Sequence, residues 1–273
     1  MASQIKKPLM IAMLLWLTVA SVSAEDSIHR PYNALLQQYV ETTSPHSTVV
    51  DYAALANDQE PLNQYLSALK AISKEEYEQW SRERQLAFLI NAYNAHTLAL
   101  IIKHYDDIDS IKDIGGFFSS AWNQPVASLL GEKRTLDDIE HGMIRGQSRA
   151  FPGFNEPRIH FAVNCASVGC PALRDEAYTA EKLEQQLSEQ TQRFLSDESR
   201  NRMTKDGLRV SKIFDWYKED FTGQKRSEKT GLGDFFSQYA SAMKLTAEQQ
   251  TQLSNNAVDI GFLEYDWALN DTE

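Results

Sequence analysis

The chain has 273 residues, of which 42% are hydrophobic and 24% charged, with two cysteines and a formal net charge of -11. This composition is typical of a globular protein and excludes wholesale disorder. The negative charge argues against nucleic acid as a partner, because binding to a polyanion needs a basic surface.

Residues 1–24 predict a secretory signal peptide. Lys6 and Lys7 precede the apolar run Pro8–Val22, and small residues follow as far as Ala24, which is the order of a signal peptide and its cleavage site. The run is shorter than the roughly 20 residues of a transmembrane helix. We therefore expect export to the periplasm or the extracellular space without stable membrane insertion. Cleavage before Glu25 removes two lysines and no acid, which changes the formal net charge from -11 to -13.

The remaining residues, 25–273, are expected to form a single compact α+β domain with its core at about 32–270. Apolar residues in Tyr32–Val40 are spaced as on one helix face. The segment Glu83–Tyr105 has no Gly or Pro, and its middle, Leu86–Ile102, is apolar almost all round. Such a helix is buried. We predict that it is the central helix of the domain and packs on a small sheet.

Two amides, Asn91 and Asn94, lie three residues apart on one side of this helix. Because they enter the interior, each must find hydrogen-bond partners. Two alternatives stay open: they tie buried loops to the helix, or they orient a substrate. Asn164, further along the chain, is a third candidate for substrate binding.

Between the central helix and the cysteines, the sequence predicts a loop and a further helix. Ile114–Phe118 with Ala121-Trp122 is an aromatic loop and a candidate lid. Thr135 with Asp138 resembles a capping box that opens the helix Leu136–Arg145. Glu140 lies on the flank of the inward face of that helix. Its carboxylate needs a partner, and a simple ion pair is an alternative to a catalytic role.

The segment Arg158–Arg174 contains both cysteines. Apolar and polar residues alternate from Arg158 to Asn164, which predicts a strand with His160 and Asn164 on one face. Gly and Pro then end the strand. Cys165 therefore follows directly after a strand, where loops often carry reactive groups.

The C-terminal part predicts a helix over Thr179–Phe194, a turn at Asp206, a short strand Leu208–Val210 and a final strand from Ile260 to Trp267. Phe214–Phe221 is an aromatic cluster that we interpret as core packing.

Several separate blocks resemble, in order, the DUF547 family of domains of unknown function. They are Asn91-Ala-Tyr-Asn94, Leu136-Asp-Asp-Ile-Glu-His141, Arg158-Ile-His-Phe-Ala-Val-Asn-Cys-Ala-Ser167 with Cys170-Pro171, Phe214-Asp-Trp-Tyr217 and Tyr265-Asp-Trp-Ala-Leu-Asn270. The resemblance runs from about Leu86 to Asn270. It implies a single α+β domain and brings no settled activity.

The leading functional hypothesis is a cysteine-dependent hydrolase or acyl transferase. Cys165 would be the nucleophile, His160 the base and Glu140 the group that orients the imidazole, with His141 as an alternative base. If the strand continues to Cys165, the side chains of Cys165 and His160 point to opposite faces. The hypothesis therefore requires a bend or bulge after Asn164.

Two other classes stay open. The first is a non-enzymatic binding module in which Cys165 and Cys170 form a structural disulfide. Because the disulfide closes a short loop, it would stabilise the fold by about 2 kcal/mol. Export to an oxidising compartment allows it to form. In a thiol-redox protein the same pair is active, although four intervening residues differ from the spacing of thioredoxin-like motifs.

No spacing motif supports a metal site from His141, His160, Glu140 and a cysteine, so we expect no metal and no cofactor. The ligand is expected to be a small molecule or a peptide, and the oligomeric state stays open.

Overall fold

A computed structural model describes residues 24–116, 119–223 and 231–272. In this part of the chain helices predominate and the strands form small sheets of two or three members. The predicted mixture of helix and small sheets is confirmed. The predicted signal peptide up to residue 23, and Phe117 and Phe118 of the candidate lid, lie outside the described residues.

The first helices and strands build one wall of the core. They are α1 (Ala24–Tyr39), β1 (Val40–Ser44), β2 (Ser47–Val50), α2 (Tyr52–Asn57), α3 (Glu60–Ala71) and α4 (Lys74–Glu78). The predicted first helix is thus part of α1. Strands β1 and β2 form an antiparallel hairpin in which Val40 pairs with Val50.

The central helix, α5, spans Arg82–His104. It begins where the Ser81 hydroxyl accepts a hydrogen bond from the Arg84 N–H at 3.2 Å. Leu89, Ile90 and Leu98 are buried, so the predicted burial is confirmed. Of the helices in the described ranges, α5 is long and apolar enough to cross a membrane, but most of its surface is buried inside the protein, as in a core helix.

The neighbours of α5 differ from the prediction. Its most extensive contacts are with α2, α3 and the π-helix Asp138–Ile144. The expectation that it packs on a sheet is therefore wrong. The strands are too short to present a broad apolar face, and helices cover α5 instead.

The segment after α5 is built from short elements. They are 3-10 helices at Tyr105–Asp107, Ile111–Asp113 and Ala121–Asn123, the strand pair β3 (Gly115–Gly116) and β4 (Ser119–Ser120), the strand pair β5 (Ala127–Leu129) and β6 (Glu132–Arg134), and the π-helix. The predicted capping box opens this last helix, because the Thr135 hydroxyl accepts from the Asp138 N–H at 2.9 Å and the Asp138 carboxylate accepts from the Thr135 N–H at 2.8 Å. The wide π turn is a rare geometry that recurs at functional sites.

The predicted strand Arg158–Asn164 is wrong. Pro157–Phe161 is a 3-10 helix and irregular backbone follows it. Pro157 has the φ angle that favours the start of a helix, and the Glu156 carboxylate accepts from the Arg158 N–H at 3.1 Å. The alternation of residue types misled the prediction, because Ile159 and its neighbours as far as Asn164 are all buried.

The C-terminal elements form a second core. They are α6 (Leu183–Leu195), β7 (Arg202–Thr204), β8 (Gly207–Val210), α7 (Ile213–Trp216), α8 (Lys218–Thr222), α9 (Leu232–Gln238), α10 (Ala247–Ser254) and β9 (Ile260–Phe262). Strand β8 pairs antiparallel with β7 and parallel with β9. The strand at Leu208 is confirmed, whereas the final strand is shorter than predicted and ends before Tyr265.

The 3-10 helix Pro157–Phe161 lies between the two hydrophobic clusters. Ile159 belongs to the cluster around α5, and Phe161 belongs to the C-terminal cluster with Phe214 and Phe236. His160 lies between Ile159 and Phe161 in sequence. The two clusters therefore meet where the candidate site lies.

Candidate functional site

A cavity of about 580 Å³ is lined by residues of both hydrophobic clusters. Its volume lies in the range of sites for small molecules. Five residues singled out from the sequence line it: Glu140, His141, His160, Cys165 and Cys170. The structure thus brings together in one cavity groups from two separate blocks of the sequence.

His160 is held by a carboxylate from another part of the chain. Its Nε2 lies 2.7 Å from Asp220 Oδ2, and Arg145 donates to both oxygens of the same carboxylate, at 2.6 and 3.2 Å. Burial acts to raise the pKa of Asp220, but the hydrogen bonds from His160 and Arg145 outweigh it and lower the pKa to about 2. Asp220 is therefore ionised near neutral pH, and Nε2 of His160 must carry the hydrogen of this bond.

The other nitrogen of His160 carries no hydrogen in this state. Burial lowers the pKa of His160, although Asp220 and Glu140 act to raise it, so the imidazole is neutral near pH 7. The ring is stacked on Tyr217 with centroids 3.9 Å apart and is 2% exposed. Nδ1 is consequently a buried hydrogen-bond acceptor, and no group in the described part of the chain donates to it.

Glu140 faces this free nitrogen. Its Oε1 lies 3.9 Å from His160 Nδ1, which is too far for a hydrogen bond. Oε1 also has no hydrogen-bond partner among the residues that the structure describes. The residue is 4% exposed. Asp220, rather than Glu140, therefore makes the hydrogen bond that orients the imidazole, which corrects the predicted arrangement. Glu140 contributes an unpaired acceptor to the cavity.

Two tyrosines surround the Glu140 carboxylate. Burial, the negative charge of Glu140 and hydrogen bonding to it raise the pKa of Tyr217 and of Tyr93. Tyr93 is also hydrogen-bonded to Trp122. Both hydroxyls therefore remain protonated near neutral pH and lie close enough to Glu140 to be influenced by its charge.

His141 lies at the edge of the cavity. Arg145 Nη1 is 2.7 Å from its Nδ1, and its Nε2 is 3.6 Å from Asp137 Oδ1. Because the guanidinium can only donate, Nδ1 of His141 accepts. Its role as an alternative base thus stays a prediction, with one nitrogen already occupied by Arg145.

Cys165 and Cys170 are joined by a disulfide, as one of the alternatives from the sequence requires. Their Cα atoms are 6.2 Å apart, and the Tyr265 hydroxyl lies 3.2 Å from each sulfur. The bend that the nucleophile hypothesis needs is present after Asn164, where Ala166 has a φ of 59°. In the disulfide state, however, neither sulfur is a thiolate.

The predicted substrate-binding amides brace the backbone. Asn94 donates to the Ala162 carbonyl at 3.0 Å and accepts from the Asn164 N–H at 2.8 Å. Asn91 makes both of its bonds to the backbone of Tyr178, at 2.8 and 2.9 Å. Asn164 bonds to Pro171 and Ala166 in the same way. None of the three lines the cavity, and these contacts favour the bracing alternative over direct contact with a substrate.

The C-terminal segment completes the aromatic wall. The N–H of Gly169 donates to the Asp266 carbonyl at 2.8 Å and that of Val168 to the Ala268 carbonyl at 2.9 Å. This pairing positions Tyr265 and Trp267, whose rings are 4.6 Å apart. The aromatic residues that line the cavity are Tyr93, Trp122, Trp216, Tyr217, Tyr265 and Trp267.

The sequence reasoning missed Asp220 as a site residue and interpreted Trp216 and Tyr217 as core. The short blocks Phe214–Tyr217 and Tyr265–Asn270 were the available indication, because each brings polar and aromatic residues together. Asp220 has no such indication in the sequence. Within the described ranges, no group of His, Cys, Asp and Glu is arranged to hold a metal ion.

The fold and the site define a helix-rich α+β protein with an aromatic cavity closed on one side by a disulfide. Residues 77–195 match the model of the DUF547 family, whose description is "Protein of unknown function, DUF547". This match confirms the resemblance to the DUF547 family that the sequence blocks indicated. The match includes Glu140, His160 and both cysteines, whereas Tyr217 and Asp220 lie beyond its end. No curated protein matches the chain, and no solved structure matches it.

Proposed function

We propose that this protein binds a small organic molecule in the cavity between Glu140 and Trp267. The observation that carries the proposal is the pair of buried acceptors without partners, Glu140 Oε1 and His160 Nδ1, in one cavity. Buried polar atoms are almost always hydrogen-bonded. Leaving one unpaired costs about 1–3 kcal/mol, and a bound molecule with hydrogen-bond donors removes that cost.

The walls of the cavity support the same proposal. Small-molecule sites combine a mostly apolar and aromatic lining with a few placed polar groups. Here the rings of Trp216, Tyr265 and Trp267 contact one another with centroids 4.6 to 5.5 Å apart. The disulfide holds the adjoining loop and acts as a structural part of the wall.

The proposed setting is an oxidising compartment. A disulfide between Cys165 and Cys170 persists outside the reducing cytosol, which supports the predicted export to the periplasm or the extracellular space. Determining the N-terminal residue of the processed protein tests this part of the proposal. A start near Glu25 supports export, and an intact Met1 rules it out.

Nuclear magnetic resonance of the indole N–H groups tests binding directly. Benzylamine, benzyl alcohol and benzoate serve as probes at pH 7, in millimolar excess. We expect at least one probe to shift the indole resonances of Trp122, Trp216 and Trp267, which line the cavity. The resonance of Trp80, which packs on Phe88 away from the cavity, is the internal control. If none of the probes shifts the three cavity resonances, the proposed function is wrong.

A second candidate, a cysteine-dependent hydrolase or acyl transferase, has one specific observation in its favour. Cys165 lines the same cavity as His160, and Asp220 holds that imidazole with Nδ1 unprotonated, as in a base poised for catalysis. After reduction, the Cys165 thiol would pass its proton to His160, attack an acyl carbonyl and form a thioester. The proton would then leave with the departing group.

Alkylation with iodoacetamide after reduction tests this candidate. It predicts that Cys165 reacts faster than Cys170 well below pH 8, and that His160→Gln removes the difference. Equal rates for both thiols in the folded, reduced protein exclude the candidate. The binding proposal does not depend on that result.

A further inference from the structure

We infer, on the basis of the proposed binding function, that the ligand presents a protonated amine whose N–H groups donate to both Glu140 Oε1 and His160 Nδ1. Each of these atoms is buried, and no group in the described ranges forms a hydrogen bond with it. Both residues line the same cavity. The chemistry that satisfies them together therefore identifies the class of ligand.

Both atoms are acceptors. His160 donates through Nε2 to Asp220 Oδ2 at 2.7 Å, and Asp220 is ionised, so the hydrogen of the neutral imidazole is on Nε2 and Nδ1 keeps a lone pair. Glu140 Oε1 is a carboxylate oxygen and also accepts. No donor from residues 24–116, 119–223 or 231–272 bonds to either atom.

The spacing of the two acceptors suits a single nitrogen. They are 3.9 Å apart. For a nitrogen at the usual 2.8 Å from each acceptor, the acceptor–nitrogen–acceptor angle is about 90°, which is within roughly 20° of the tetrahedral angle between two N–H bonds of an ammonium group. A hydroxyl has one hydrogen and can serve only one acceptor, and a carboxylate has none.

The charges in the cavity favour a cation. The positive charge of Arg145 is engaged by the Asp220 carboxylate at 2.6 Å. Among the described residues, the ion-pair contact of Glu140 is with the neutral His160 ring at 3.9 Å, and Arg145 influences Glu140 only through its charge. Aromatic rings add to this preference, since their faces attract ammonium groups. The rings of Trp216, Tyr265 and Trp267 lie in the same wall.

Water also has two donors, so the experiment must separate charge from hydrogen bonding. Three probes with the same ring do this: benzylamine, which is protonated at pH 7, benzyl alcohol, which is neutral, and benzyltrimethylammonium, which is charged but has no N–H. Their dissociation constants are measured from the indole shifts of Trp122, Trp216 and Trp267. We expect benzylamine to bind at least about tenfold more tightly than either of the others.

Two variants provide a matched comparison. Glu140→Gln removes the charge and one acceptor, and we expect it to abolish the preference for benzylamine. Asp215→Asn removes a carboxylate next to Trp216 that is exposed and lies outside the cavity, and we expect the preference to remain. The comparison of the three probes on the unchanged protein decides the question even if Glu140→Gln does not fold.

Each outcome has a separate meaning. Equal binding of benzylamine and benzyl alcohol would show that a neutral donor such as water fills the position, and the inference would be wrong while the binding function stood. Equal binding of benzylamine and benzyltrimethylammonium would reject the N–H requirement. An equal loss of the preference for benzylamine in Asp215→Asn and Glu140→Gln would show that the preference comes from the overall negative charge and not from Glu140 itself. Absence of binding by all three would instead count against the proposed function itself.

Discussion

His160 and Asp220 are 60 residues apart in the chain, yet their side chains are joined by a hydrogen bond of 2.7 Å. Asp220 lies on α8 and His160 on the 3-10 helix Pro157–Phe161. Arg145, next to the π-helix, donates to the same carboxylate. One carboxylate thus connects three elements and fixes which nitrogen of His160 is free.

Replacing Asp220 by Asn tests this connection. The loss of the negative charge disfavours the imidazolium, so we expect the pKa of His160 to fall below its value in the unchanged protein. The side chain is 25% exposed, and removing a charged hydrogen-bond acceptor at such a site lowers the free energy of unfolding by about 2 kcal/mol. A proton NMR titration of the histidine ring signals and urea unfolding measure the two effects. Asp215→Asn, on the exposed side of α7, is the control and should change neither quantity.

The stability of the protein should fall as the pH is lowered from about 6.5 to 4. Burial lowers the pKa of His29 and of His96 to about 4, and it also lowers the pKa of His160. Between the folded and unfolded pKa values the unfolded chain binds more protons, so the free energy of unfolding rises with pH in this window. Protonation of Asp220 lowers the free energy of unfolding further below pH 4, since the pKa of Asp220 in the folded protein, about 2, lies below its value in the unfolded chain.

Urea unfolding at pH 7.5, 5.5 and 4.5 measures this dependence. His96→Leu provides the comparison, because His96 Nε2 is buried with no hydrogen-bond partner in the described structure and leucine has no group to protonate. We expect the variant to lose less stability than the unchanged protein between pH 7.5 and 4.5. Identical pH profiles for the two proteins would contradict the assignment of His96 as a buried neutral group.

The predictions from the sequence were most accurate where a continuous run of apolar residues is enough to specify a buried element. The apolar run from Leu86 to Ile102 specifies a buried helix whatever surrounds it. The alternation in Arg158–Asn164 failed because a period of two indicates a strand only if one face is exposed, and here both are buried. The groups that surround Glu140 could not be predicted, since burial of a carboxylate does not reveal which residues from other parts of the chain pack against it. Asp220 was missed for the same reason.

Asn94 should be important for stability and not for ligand affinity. Its buried amide bonds to the backbone of Ala162 and Asn164. Asn94→Ala leaves a buried N–H and a buried carbonyl unpaired, which should cost about 3 kcal/mol of unfolding free energy. Urea unfolding measures that loss. The affinity of the remaining folded protein for benzylamine should stay within about twofold of that of the unchanged protein. A much weaker affinity would show that Asn94 contributes to ligand binding.

The disulfide should be inert until a reductant is added. Because Cys165 and Cys170 are bridged, iodoacetamide should label neither in the native protein, as mass spectrometry can show. Cys165→Ser should lower the free energy of unfolding by about 2 kcal/mol, the value for a short loop. If mild reductant opens the bridge with no loss of stability, the thiol-redox alternative gains support and the structural role is rejected.

Gly169 allows the C-terminal segment to approach the cysteine loop. A Cβ atom at this position would lie 2.8 Å from the Asp266 carbonyl oxygen and 2.9 Å from the ring of Tyr265, closer than atoms can pack. In Gly169→Ala the segment with Tyr265 and Trp267 must move away, which should cost about 1–3 kcal/mol and weaken benzylamine binding, because these rings form one wall of the cavity. Gly142→Ala is the matched control, since its Cβ would meet only Ser148 at 3.7 Å, an ordinary contact. Unfolding and the indole titration measure both variants, and an unchanged affinity in Gly169→Ala would show that the C-terminal aromatic residues do not contribute to binding.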